Sequence, residues 1–151
     1  PSNSSAASDV YKRQDIIKPN VIVTYDHLGE WNGYVIPWWR WDGDGKSIQV
    51  YETAALPGHV KGFHRHRKKT DRFFCVSGTA KLGVVDESGN QEVYVLTSHS
   101  AKIVVVRPGL WHAIKCISEE PCRIINCCEP GYNAADPDQE EGDIDFDWGD
   151  P

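Results

Sequence analysis

The sequence predicts an all-β domain, either a sandwich or a small barrel. Short runs of β-branched and aromatic residues recur along the chain, and turn signals separate them at intervals of roughly 8–12 residues. No segment shows a convincing helical period. At 151 residues, 40% of them hydrophobic and 11% aromatic, the chain is sized for one domain with a true core.

Residues 21–25 (VIVTY) are β-branched and open the strand series. Trp31, Trp38, Trp39 and Trp41 then surround Tyr34-Val35-Ile36, a segment too aromatic for a loop and too short for a firm helix. Asp42-Gly43-Asp44-Gly45 is a turn. Residues 47–53 (SIQVYET) read as the next strand, ended by Leu56-Pro57-Gly58, and residues 60–66 follow. Residues 72–76 and 80–86 flank Ser77-Gly78-Thr79, a hairpin signature. Ser88-Gly89-Asn90 turns the chain into residues 92–96, and residues 102–106 (KIVVV) read as an apolar buried strand. Residues 112–117 and 122–128 complete the set, split by Ser118-Glu119-Glu120-Pro121.

Three segments differ in composition. Residues 1–14 include SSAASDVYKRQ, which looks like a translated sequencing adapter, so they are set apart as a non-native leader with the natural chain expected to begin near Asp15. Residues 15–135 are close to neutral and are expected to form the barrel. Residues 136–151 hold eight acids and no base, and Ile144, Phe146 and Trp148 alternate there with Asp, as an edge strand lying on the barrel would. The net charge of −6 and the absence of a basic excess argue against a nucleic-acid partner. No apolar run approaches the roughly 18 residues of a membrane span. The five cysteines lack a Cys-x-x-Cys spacing and fall mostly in strand-like segments, so they are read as small buried hydrophobes in a reducing, cytoplasmic compartment. Four tryptophans between Trp31 and Trp41 exceed what a core this small readily uses, and a homodimer is expected.

The chemistry concentrates between Gly58 and Gly78, in GHVKGFHRHRKKTDRFFCVSG. His64 and His66 are two residues apart, so in an extended strand they share one face. Asp71 follows five residues after His66 and either turns back towards the imidazoles or pairs with Lys68 or Arg72 on the surface. Pro108-Gly109-Leu110-Trp111-His112 delivers a third histidine from a turn. Three histidines and an acid converging in a β domain form a candidate active site.

That spacing resembles the two cupin motifs, with Asp71 where the family usually has Glu. The resemblance implies a double-stranded β-helix, the cupin jelly-roll barrel. Ile48-Gln49, the stretch from Pro57 to His64, and the Pro108-Gly109-x-x-His112 turn resemble the RmlC-like dTDP-4-dehydrorhamnose 3,5-epimerase family. The run from His64 to Thr70 is also similar to sugar-nucleotide 3,4-ketoisomerases. This resemblance implies an epimerase or isomerase acting on a nucleotide sugar, a dTDP-linked 4-keto-6-deoxyhexose. It implies His64 as general base, with His112 and Tyr132 as further catalytic residues. Gln49, Lys61, Arg65, His66, Arg67 and Asn126 are implied to bind substrate, with Lys61, Arg65 and Arg67 towards the diphosphate. Asn126 stands where the family's acid tyrosine would fall and cannot donate its proton.

Two other readings compete with the metal-free epimerase. One is a metal-dependent cupin of dioxygenase or lyase type, holding a divalent transition metal on His64, His66, Asp71 and His112. The other is a non-catalytic sugar-binding cupin.

Overall fold

A computed structural model describes residues 14–150 of the chain. The leader expected over residues 1–14 lies, apart from Gln14, outside the described residues. Among the described residues there are strands and no helix, hence no helix long and apolar enough to cross a membrane. The strands are β1 (Ile22–Tyr25), β2 (Trp31–Gly43), β3 (Lys46–Ala55), β4 (Val60–Arg65), β5 (Asp71–Ser77), β6 (Thr79–Val85), β7 (Gln91–Thr97), β8 (Val104–Val106), β9 (Trp111–Cys116), β10 (Cys122–Cys128) and β11 (Glu140–Glu141). One sheet runs β1-β2-β3-β10-β5-β8 and the other β11-β4-β9-β6-β7, with antiparallel pairing throughout. From β3 onwards almost every connection crosses between the sheets, giving the double-stranded β-helix of a jelly roll.

Strand alternation builds the core. On β10, Cys122, Ile124, Asn126 and Cys128 point inward and are fully buried. Phe73, Leu82, Leu96, Val106 and Cys116 meet them between the sheets. The one polar member of that inward row, Asn126, lies towards the histidine end of the barrel, where it bonds the Asp71 side chain.

Three expectations need correction. Ser77-Gly78-Thr79 is a corner and not a hairpin, because β5 and β6 lie in different sheets. Gly78 makes it with φ +72°, and a Cβ there would stand 2.7 Å from Ser118 Oγ and 3.0 Å from Cys122 Cα. The tryptophan-rich segment is strand β2, paired with β3 from Gly33↔Ala55 to Gly43↔Lys46. It accommodates Pro37 beyond the reach of β1, where no ladder bond is needed on that edge. The KIVVV run is only half as buried as expected: β8 begins at Val104, Ile103 is 62% exposed and Val105 43%.

The acidic tail lies on the barrel. β11 pairs with β4, Glu141 opposite His64 and Glu140 opposite Arg65. Beyond it Ile144, Phe146 and Trp148 pack on Phe63, Val85 and Ala113, with the Phe63 and Phe146 rings 5.3 Å apart.

Gly62 lets β4 close onto β9 beside the histidines. At φ +131° it tolerates no ordinary side chain, and a Cβ would meet Ala113 Cβ at 2.6 Å and His112 O at 2.7 Å. Gly62→Ala is expected to destabilise the fold by about 1–3 kcal/mol. Urea unfolding checks this, and a midpoint equal to that of the unsubstituted protein would contradict the close approach.

Candidate functional site

β4 and β9 pair so that His64 stands opposite His112, and His66 follows just past the end of β4. Asp71 opens β5 in the facing sheet. The fold thus aims an acid from one sheet at imidazoles from the other. Asp71 Oδ2 lies 3.2 Å from His66 Nε2 and 3.3 Å from His112 Nε2. All three residues are buried, Asp71 to 1% exposure. Burial works against the Asp71 charge, but His66 and His112 when protonated, together with Asn126, outweigh it and hold the carboxyl below its ordinary value.

Asn126 explains the other carboxylate oxygen. The backbone N–H of Arg72 donates to Asn126 Oδ1 at 2.9 Å, which fixes the amide the other way round. Its Nδ2 therefore donates to Asp71 Oδ1 and to the Tyr51 hydroxyl, each at 2.7 Å. Asn126 is fully buried and orients the acid. Tyr51, whose hydroxyl burial pushes above its ordinary pKa, escaped the sequence reading although it alternates with Gln49 and Thr53 on β3.

Two backbone carbonyls set the protons on the buried rings. His66 Nδ1 is 2.6 Å from Asp138 O, and His112 Nδ1 is 3.1 Å from Leu110 O. A carbonyl only accepts, so each Nδ1 carries hydrogen. In the neutral rings both Nε2 lone pairs then face Asp71 Oδ2, itself a buried oxygen with no hydrogen-bond partner. Three electron pairs converge, with the donor atoms all within 4.8 Å of one another. Such a cluster calls for a proton or a cation at its centre. Ligands about 2.0–2.2 Å from a metal and at right angles stand about 3 Å apart, close to the separations here. Carbonyls on the far ring nitrogens are the usual outer support of metal-binding imidazoles. The residues present therefore fit a divalent metal on His66, Asp71 and His112.

His64 differs from the fourth ligand expected. It is not among the converging atoms, and its ring centre is 6.4 Å from that of His112. Among the described residues its ring nitrogens have no hydrogen-bond partner. Burial, then the neighbouring His112, His66 and Lys61, push its pKa down to about 4. At neutral pH it is an uncharged, half-buried imidazole with a free lone pair.

The expected diphosphate rim is largely taken up. Lys61 Nζ donates to Tyr34 O, Thr53 Oγ1 and Ala54 O at 3.0, 2.9 and 3.2 Å. Those bonds use all three ammonium hydrogens to tie β4 to β2 and β3, and burial lowers the Lys61 pKa to about 8. Arg65 pairs with Glu140 at 2.6 Å and lies over Trp111, while Arg67 pairs with Asp136 at 2.7 Å. Gln49 on β3 and Tyr132 on the loop after β10 form a separate group, Gln49 Oε1 accepting from the Tyr132 N–H at 3.0 Å. Arg40 donates to the Tyr132 carbonyl, and the ring of Tyr132 is 52% exposed.

Asp138 carried no sequence signal, lying some seventy residues from what it organises. Its carboxylate accepts from the backbone N–H groups of Arg67, Lys68 and Lys69 at 2.8, 3.0 and 3.0 Å, pinning the loop whose His66 its carbonyl orients.

The chain is 29% identical over 118 residues, 72% of its length and 76% of the relative's, to the probable low-salt glycan biosynthesis epimerase Agl13 of Haloferax volcanii. It is 27% identical over 111 residues, 66% of its length and 74% of the relative's, to the spore coat polysaccharide biosynthesis protein SpsL of Bacillus subtilis. Among solved structures, the capsular polysaccharide assembling protein CapF of Staphylococcus aureus superposes over 87% of this chain with a TM-score of 0.69 at 17% identity. An oxalate decarboxylase of Bacillus subtilis superposes over 82% with a TM-score of 0.61 at 13% identity. The chain spans only 33% and 30% of those two longer chains, and at such identity the likeness is one of fold, the cupin barrel. Residues 35–140, from β2 to β11 and through both histidine segments, match the polysaccharide biosynthesis C-terminal domain, and the chain belongs to that family.

Proposed function

We propose that this domain is a carbohydrate epimerase acting on a nucleotide-linked 4-keto sugar, with a dTDP-linked 4-keto-6-deoxyhexose as the specific substrate. The observation that carries the reading is His64: neutral, half-buried and with free ring nitrogens, beside a buried acid–imidazole cluster. The epimerase named among the relatives supports it.

Epimerisation next to a keto group requires a base for a carbon-bound proton. His64 takes that proton. Charge then develops on the keto oxygen and needs a positive partner. The His66–Asp71–His112 cluster is neutral with one added proton and becomes that partner only when both rings are protonated. Neutral, those rings present lone pairs and cannot donate through Nε2. Asn126 cannot return the proton, since its amide is spent on Asp71 and Tyr51. Water, Tyr132 or a second histidine must supply it on the opposite face.

The orphaned Asp71 Oδ2 favours a second reading, a metal-dependent cupin enzyme. A divalent ion held by His66, Asp71 and His112 would polarise a substrate oxygen as a Lewis acid. His64 would still move the proton, and the fixed Nδ1–H groups would hold both ligand rings in place.

The proposal includes a reducing, cytoplasmic setting, supported by five free cysteines of which three are buried. It also includes a homodimer across the β1–β2 face, where Ile22, Tyr25, Trp31, Trp38 and Trp39 are each about half exposed or more. Sedimentation at micromolar concentration is expected to show a dimer, and a monomer alone would contradict that part.

Replacing His64 by Ala should lower solvent-deuterium incorporation at the sugar carbon by about 10²–10⁴-fold while substrate still binds. Full incorporation by the variant would remove His64 from the mechanism. The pH profile should also be diagnostic. With a folded pKa of about 4, the basic form of His64 persists well below pH 6.5 and is lost only as pH falls through about 4. Unfolded, the same ring protonates near its ordinary value of 6.5. Stability should therefore decline from pH 6.5 towards pH 4, and less steeply in His64→Gln. An activity limb at pH 6.5 in folded protein would contradict the assignment. For the metal reading, Mn(II) or Zn(II) titrated into chelator-treated protein should bind one per chain, at least tenfold more weakly after His66→Ala. Equal affinity in that variant would dismiss it.

A further inference from the structure

We propose that the cavity between the β2–β3 turn, the loop after β4 and the loop after β10 is an anion site for a phosphate or diphosphate group, with Lys69 as its anchoring cation. The inference deepens the nucleotide-sugar reading and rests on it for the biological ligand, though not for the anion itself.

The first observation is Lys69. It is only 7% exposed, yet among the described residues its ammonium has no hydrogen bond and no ion pair. Its neighbours in sequence are satisfied: Arg67 and Lys68 both pair with Asp136. The stem is packed away while the unpaired ammonium keeps access to solvent, a geometry in which an anion arriving from solvent can complete it.

The second observation is the space it borders. Lys69 lines a cavity of about 420 Å³, within the usual size range of ligand sites. The acids around that cavity are already spent. Asp42 accepts from Arg40 Nε and Nη2 at 2.8 and 3.1 Å. Asp136 is held by Arg67 and Lys68, and Asp138 by three backbone N–H groups. Lys46, exposed on the same lining, also has no partner among the described residues. Two lysines with no partner among the described residues thus line one cavity. Lysine serves phosphate as a point charge, without the fixed fork that arginine needs.

The third observation places the cavity next to the chemistry. Asp138, which lines the cavity, bonds His66 Nδ1 through its carbonyl, and Lys69 stands two residues before Asp71 in the chain. An anion tethered there would hold the rest of its molecule beside the histidine cluster. This relocates the diphosphate grip from Lys61, Arg65 and Arg67, whose charges are taken.

Inorganic pyrophosphate is the direct probe, titrated into the full chain by calorimetry and by amide NMR. One-site binding that weakens with salt is expected, at least tenfold weaker in Lys69→Met, largely restored in Lys69→Arg and several-fold weaker in Lys46→Ala. The Gly131 and Lys69 amides should shift. Failure of the folded wild-type protein to bind, or equal affinity in folded Lys69→Met, would overturn the proposal. If Lys69→Met does not fold, unchanged affinity in Lys46→Ala would overturn it. Pyrophosphate binding through Lys69 with no deuterium exchange into any nucleotide 4-keto sugar would keep the anion site and sink the epimerase reading. Exchange without pyrophosphate binding would do the reverse.

Discussion

The site depends on one carboxylate oxygen, Asp71 Oδ2, caught between two imidazole nitrogens with no hydrogen bond of its own. The jelly roll makes that meeting possible by bringing β5 of one sheet against β4 and β9 of the other. Gly62 lets β4 lie close to the His112 backbone, Asn126 turns the acid, and the Leu110 carbonyl turns His112. Each of these contacts acts on where a proton can sit. Their joint effect is to prepare a place for positive charge within reach of a neutral histidine.

The acidic tail belongs to this arrangement. Asp138 pins the loop after β4 with its carboxylate and orients His66 with its carbonyl. Asp136 and Glu140 neutralise Arg67 and Arg65. Exposed ion pairs of this kind contribute little stability individually, typically about 0–1 kcal/mol each. Their larger consequence is electrostatic, since they neutralise Arg65, Arg67 and Lys68 next to the histidines, while Lys69 and Lys46 at the neighbouring cavity have no partner among the described residues.

Local patterns in the sequence reached far into this structure. The i, i+2 spacing placed His64 on β4 and His66 just past its end, and the Pro-Gly turn led to His112. Where the reading fell short, long-range contacts were responsible. Ser77-Gly78-Thr79 has the composition of a hairpin, but the strand pairing that makes it a corner is decided by β10 and β9. Lys61 looks like a phosphate ligand until Tyr34, Thr53 and Ala54 converge on it from strands β2 and β3. Asp71 could equally have been a surface acid, and only the opposing sheet buries it. Asp138 acts some seventy residues away in the chain, and Lys69 stands in a basic run whose other members could not be told from it by sequence, being notable only for what does not touch it.

The central claim is that His66 and His112 keep their protons on Nδ1 and turn bare Nε2 atoms towards Asp71. Nitrogen-15 NMR of the ring nitrogens measures this directly. At neutral pH both rings should show a protonated Nδ1. Added Zn(II) should shift the Nε2 resonances while leaving each Nδ1–H in place. A neutral His66 or His112 with its proton on Nε2 and a bare Nδ1 would contradict the account.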